Sequence, residues 1–158
     1  MKKLSILLVV FIAVLALAGC GRKNDAKTLQ IVKHSGTEYR VKVLDDSYKF
    51  GTLYINVKDE QLVSFDIEYK DGYTYSEDSY IKIGSYYAEY SKTESDKKIN
   101  LKITNAYNLV VNEDGSEKAN DKEVKLYVKF LDSSNSSTTT TLTVNPKDLV
   151  EFIRNKSL

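Results

Sequence analysis

The sequence predicts a mainly β fold: an antiparallel sandwich or strongly curved sheet of about eight or nine strands, with one short C-terminal helix. Three observations carry that expectation. Apolar residues recur with period two from Leu29 onward, the pattern of strands with one buried face. Turn-forming residues separate the runs, as at Lys70-Asp71-Gly72, where Asp-Gly supplies the positive φ of a tight connection. Helical spacing appears only after Pro146.

Taken in order, Tyr39, Val41 and Val43 alternate with Glu38, Arg40 and Lys42, and Leu53, Ile55 and Val57 alternate with Tyr54, Asn56 and Lys58. Lys58-Asp59-Glu60-Gln61 reads as a polar turn joining that second run to the next, so the two form a hairpin. The next run places Val63, Phe65, Ile67 and Tyr69 inward, opposite Ser64, Asp66 and Glu68. Residues 73–92 have strand character without a clear register: Ile81 and Ile83 share a face, as do Tyr86, Ala88 and Tyr90, with Gly84 as a bulge or bend.

Ile99, Leu101 and Ile103 alternate with Lys98, Asn100 and Lys102, and residues 107–111 continue extended. Asn112-Glu113-Asp114-Gly115 turns, and 116–122 (SEKANDK) reads as a charged loop. Val124, Leu126, Val128 and Phe130 then point inward and Glu123, Lys125, Tyr127 and Lys129 outward, the clearest strand of the chain. After a low-complexity loop at 133–137 (SSNSS), the β-branched stretch 138–144 (TTTTLTV) forms the last strand. Asn145-Pro146 reads as an N-cap followed by proline at the first helical position. Leu149, Val150, Phe152 and Ile153 then give 146–155 one amphipathic face, which closes the open end of the sheet.

The N-terminal stretch carries a different kind of information. Lys2 and Lys3 precede an apolar run from Leu4 to Ala18, broken only by Ser5, and the small-residue junction ends on the chain's one cysteine. This is a signal peptide, and the run is shorter than the roughly 20 residues a spanning helix needs. Its end, Leu17-Ala18-Gly19-Cys20, resembles the lipobox of bacterial lipoproteins. The resemblance covers only this leader. It implies that residues 1–19 are removed and that Cys20 becomes the lipidated N-terminus (a diacylglyceryl, palmitate-type anchor). It thereby implies a membrane partner through lipid and an extracytoplasmic address. More than one acyl chain on Cys20 makes such an anchor stable, since each buried CH₂ contributes about 0.8 kcal/mol. Residues 21–28 (GRKNDAKT) form a polar tether that reaches at most about 28 Å, which keeps the domain at 29–158 near the bilayer.

Arginine is confined to Arg22, Arg40 and Arg154, and the abundant Lys, Asn, Ile and Tyr suit AT-rich codons, which favours a Gram-positive host. There the domain faces outward from the plasma membrane. In a Gram-negative cell, Gly21 after the cysteine implies the outer membrane. With no cysteine besides Cys20 the domain has no internal disulfide, so core packing supplies its stability. Two of the 23 basic side chains, Lys2 and Lys3, lie in the leader, so the rest nearly balance the 22 acidic ones. That balance points to no nucleic-acid partner.

Catalytic patterns are sparse. His34 is the only histidine, in a polar segment outside any strand–turn–helix nucleophile context. EF-hand spacing fails at both candidate glycines: around Gly115 the ligand positions fall on Val110, Asn112 and Asp114, and around Gly72 on Ile67, Tyr69 and Asp71. Asp45-Asp46, Asn112 to Asp114 and Asp121 could form an irregular calcium loop, the lesser alternative to solvated turn residues, which is how they read; neither metal nor cofactor is expected. An envelope hydrolase would need a carboxylate pair, and with 22 acidic residues on alternating strand faces the sequence selects none; Asp66 and Glu68 do share one strand face, which reads as outward and solvated. Tyrosine is the unusual feature, with 12 in all and a dense group at Tyr69, Tyr73, Tyr75, Tyr80, Tyr86, Tyr87 and Tyr90. A tyrosine ring stacks on sugars or anchors a protein contact, and Tyr54 and Tyr127, on the polar faces of the cleanest strands, are the candidate binding surface. The functional expectation is a non-enzymatic lipoprotein that binds an envelope protein or glycan near the membrane. A small-ligand carrier, which requires an apolar cavity between sheet and helix, is the alternative beside the hydrolase.

Overall fold

The computed structural model describes residues 29–114 and 116–156; the leader, Cys20 and the tether lie outside them. The described chain is mainly β, all of it antiparallel, with one helix at its C-terminal end. Two sheets face each other across one core and do not close into a barrel. The first, sheet A, contains β1 (Leu29–Ser35), β2 (Glu38–Val43), β3 (Gly51–Lys58), β4 (Gln61–Tyr69), β9 (Lys98–Asn108) and β8 (Tyr90–Ser95), in that spatial order. The second, sheet B, runs β13 (Ser137–Val144), β12 (Val124–Leu131), β6 (Tyr80–Ile83), β7 (Tyr86–Ala88), with the two residues of β5 (Thr74–Tyr75) also paired to β12. A separate ribbon pairs β10 (Val110–Glu113) with β11 (Ser116–Ala119).

Alternation does what the sequence predicts in the long strands. Leu53, Ile55 and Val57 of β3, Ile99, Leu101 and Ile103 of β9, and Val124, Leu126, Val128 and Phe130 of β12 are all buried. Each such side chain contributes about 1.5–3 kcal/mol on leaving water. The sheets meet where the Phe50 ring stacks on Phe130, centroids 4.4 Å apart. Tyr69 and Tyr75 close around the same ring at 5.4 and 5.7 Å.

The predicted β3–β4 hairpin forms, with Asp59 and Glu60 both at positive φ in its two-residue turn. Its second strand changes phase. Val57 pairs Leu62 and Asn56 pairs Ser64, so Val63 is an extra residue in a β-bulge: Leu62 is buried and Val63 is not. The expectation that Val63 points inward is therefore corrected, because a bulge flips the face of every residue on one side of it. Gly84, expected as a bulge or bend, opens the β6–β7 turn at φ 57°. Residues 116–119, read as charged loop, are β11; the ribbon's strand buries no face, so its sequence carries no alternation.

Thirteen strands among the described residues exceed the eight or nine expected, and the excess lies in short ones, β5, β7, β10 and β11, of two to four residues. Such lengths are too short to display a period.

The helix α1 (Pro146–Lys156) begins as predicted: Asn145 Oδ1 accepts the Lys147 amide at 3.1 Å, and the Asn145 carbonyl accepts the Leu149 amide at 3.0 Å. Asp148 in its first turn and Arg154 and Lys156 in its last complement the helix dipole. Leu149, Val150, Phe152 and Ile153 join the core. Leu149 lines a small gap together with Leu29, Val43 and Ile55 of sheet A and Leu142 and Val144 of sheet B, and α1 also packs on the β10–β11 ribbon.

Candidate functional site

Three places could engage a ligand, and the strand register decides what each contains. On the outward face of sheet B, β12 pairs β6 so that Tyr127 stands opposite Tyr80. The two rings stack with centroids 4.4 Å apart and planes inclined by 24°. Tyr87, brought alongside by the β6–β7 hairpin, meets Tyr80 edge-on at 5.3 Å. Tyr87 is 71% exposed and Tyr80 36%. Lys82 Nζ lies 5.7 Å from the Tyr87 ring centroid, Lys125 reaches Glu123 at 3.8 Å, and Lys129 pairs with Asp78 at 2.8 Å. Thr141 extends the Tyr127–Tyr80 row onto the edge strand β13. The result is a shallow aromatic platform edged by cations.

Tyr54 stands elsewhere, on the outward face of sheet A, so the two tyrosines singled out by sequence do not form one surface. The Arg40 guanidinium covers the Tyr54 ring at 4.0 Å, and the hydroxyl points at Glu68 Oε2, 3.4 Å away. Burial raises the Tyr54 pKa, the Glu68 charge raises it further, and Arg40 opposes both. Beside it, Asp66 is the acceptor at the centre of a polar grid. One oxygen takes Arg40 and Asn56, the latter at 2.8 Å, and the other takes Asn100 at 2.6 Å. Arg40 also reaches Glu68 at 3.5 Å. The carboxylates considered for hydrolysis are thus tied into cross-strand pairing on four neighbouring strands, β2, β3, β4 and β9.

The dense tyrosine group divides by burial. Tyr69, Tyr73, Tyr75 and Tyr90 pack against the core, whereas Tyr80, Tyr86 and Tyr87 are exposed. Sequence reasoning passed over Tyr80 and Tyr87. The signal was present in the alternation of Tyr80 with Ile81, but pairing Tyr80 with Tyr127 needs a contact between residues 47 positions apart.

The third place is a cleft of about 640 Å³ between the C-terminal half of α1 and the turns β1–β2 and β3–β4. Val57, Leu109, Val150 and Ile153 make its apolar lining, with Tyr39 at one side and Gly36, Thr37, Asp59, Glu60 and Arg154 around it. His34 stacks on Tyr39 at 4.3 Å and its Nε2 lies 2.8 Å from the Gly36 carbonyl, so the lone histidine braces this turn.

Among the described residues, no group of three or more His, Cys, Asp or Glu could hold a metal ion. Asp45 accepts the Ser47 amide and hydroxyl within its own turn, and Asp121 lies 3.7 Å from Lys118. No helix among the described residues is long and apolar enough to cross a membrane. Comparison with known proteins adds no relative: no family model, no curated protein and no solved structure matches the chain.

Proposed function

We propose that this chain is a lipid-anchored extracytoplasmic binding module, held at the membrane surface by Cys20, which engages an envelope protein or glycan through the tyrosine platform of sheet B. The observation that carries the reading is the exposed Tyr87 ring set against the stacked pair Tyr80–Tyr127. Such rings offer flat contact area at small entropic cost, and each keeps a hydroxyl for hydrogen bonding. The tether's short reach supports a partner at the envelope.

The test is photo-cross-linking of the full-length lipoprotein in its own membranes, with the cross-linker placed at position 87 and, as a control, at position 54. A reproducible partner captured from 87 and not from 54 supports the platform. Capture from both positions alike, or from neither, overturns it. The anchor has its own test: Cys20→Ser leaves the protein unlipidated and frees it from the membrane fraction, and a variant that still sediments with membranes and migrates unchanged contradicts lipidation.

A further inference from the structure

We propose that the cleft beside α1 is a second binding site, separate from the tyrosine platform, for a small molecule with an apolar body and a cationic head. Its volume of about 640 Å³ lies within the range of ligand pockets, roughly 300–1,000 Å³. Its lining is built from buried side chains: Leu109 is fully buried, Val57 3%, Val150 7% and Ile153 8% exposed. The walls are fixed by hydrogen bonds rather than left to the ligand to order. The Asp59 amide donates to the Thr37 carbonyl at 3.2 Å, and the Thr37 hydroxyl donates to Asp59 Oδ1, so the two turns are tied together. The Leu109 amide donates to the Glu60 carbonyl at 2.9 Å and holds the floor to the second turn.

The rim supplies the charge. Arg154, projecting from α1, bridges Glu60 at 2.7 Å and Glu117 of β11. One guanidinium thus faces two carboxylates, and Asp59 adds a third, bonded only by a neutral hydroxyl among the contacts described. The adjacent cations are matched elsewhere: Lys58 to Glu38 at 3.2 Å and Lys118 to Asp121 at 3.7 Å. A ligand whose apolar part lies on Val57, Leu109 and Ile153 places its head among these carboxylates, where a positive charge takes one of them from Arg154. The cleft lies at the far end of β1 from Leu29, about 23 Å along the strand.

The test uses the full-length lipoprotein in nanodiscs of zwitterionic lipid, with methyl NMR as the readout. The probes are benzyltrimethylammonium, benzyl alcohol and benzoate, one ring in three charge states. The cation is expected to shift the methyls of Val57, Leu109, Val150 and Ile153 saturably, with a Kd about tenfold below those of the alcohol and of benzoate. Arg154→Gln frees both carboxylates and is expected to tighten the cation, whereas Glu60→Gln combined with Glu117→Gln is expected to remove its advantage. A role for these residues in folding alone moves neither ratio. Benzoate or benzyl alcohol binding as tightly as the cation, shifts mapping to another surface, no saturable shift with any probe, or a weaker cation in Arg154→Gln each overturns the proposal. Tyr87→Ala leaves the titration unchanged, so failure of the platform and failure of the cleft are read separately.

Discussion

Tyr127 lies stacked on Tyr80 with the ring centroids 4.4 Å apart, and the pair comes from the β12–β6 register rather than from any local sequence feature. Tyr87 rests edge-on against Tyr80 and turns most of its surface to solvent. Stability and binding should therefore separate along this row. Tyr87→Ala is expected to change unfolding free energy by less than about 0.5 kcal/mol, as at other exposed positions. Tyr127→Ala removes the stacked ring and is expected to cost about 1 kcal/mol. Tyr54→Ala should cost at least as much, since it strips the ring from beneath Arg40. Urea unfolding of the three variants gives the order directly, and a Tyr87→Ala protein as destabilised as Tyr54→Ala would assign Tyr87 a packing role.

Asp66 gives the opposite case, a polar residue whose removal should be felt as lost structure. Its carboxylate accepts from Arg40, Asn56 and Asn100, three strands' worth of donors on a half-buried face. Asp66→Ala takes this acceptor from Asn100 and leaves Arg40 with Glu68 and Asn56 with Ser64, and is expected to cost about 2 kcal/mol, because a partly buried donor that loses its acceptor costs more than the bond itself is worth. Chemical denaturation checks it, and an unfolding midpoint equal to that of the native protein would free Asp66 for a role in chemistry.

How much of this was legible in the sequence depends on whether the information was local. Val124 to Phe130 of β12 and Leu53 to Val57 of β3 announce their buried faces within a few residues, and the structure keeps both. The Asn145-Pro146 start of α1 is equally local, since the cap and its hydrogen bond lie two residues apart. Val63 was misplaced because a bulge depends on the partner strand, whose Val57 and Asn56 skip it. The cleft was out of reach for the same reason: Thr37, Glu60, Leu109 and Ile153 come from four distant segments, and no spacing rule links them. Only the need for a cavity between sheet and helix could be stated in advance.

Alkaline pH should expose the burial of Tyr48. Its ring packs against Phe50, centroids 5.6 Å apart, and burial, with the Asp45 charge behind it, pushes its pKa up to about 12. An unfolded chain releases that proton near pH ~10. The folded form therefore binds the proton more tightly between those values, and stability, level below about pH 10 for this group, falls as pH rises toward 12. The loss ascribed to Tyr48 is about 2 kcal/mol. Tyr48→Phe keeps the ring and removes the titration, so its melting temperature should decline less over that interval. Equal declines in both proteins would assign the alkaline transition to other groups, of which Tyr107, also raised to about 12, is the first to test by the same substitution.

Tyr75 and Tyr90 form a matched pair for weighing a buried hydroxyl. Both rings pack against the core, but the Tyr90 hydroxyl donates to the Ser79 carbonyl at 2.6 Å, whereas the Tyr75 hydroxyl is buried without a hydrogen-bond partner among the described residues. Burial raises the Tyr75 pKa and the neighbouring Ser79 hydroxyl opposes that rise; the Ser79 hydroxyl donates to the Ser76 carbonyl at 3.1 Å and accepts the Lys129 amide at 2.9 Å, and so keeps one further lone pair. Removing a satisfied hydroxyl costs about 1 kcal/mol, while removing an unsatisfied buried one relieves an uncompensated desolvation. Tyr90→Phe should therefore destabilise by about 1 kcal/mol and Tyr75→Phe should be neutral or stabilising by a similar amount, with the Tyr75 ring still edge-on to Phe130 at 5.7 Å. Thermal unfolding of the two variants decides it, and an equal loss at both positions would mean that the Tyr75 hydroxyl is bonded, to the Ser79 hydroxyl or to ordered water.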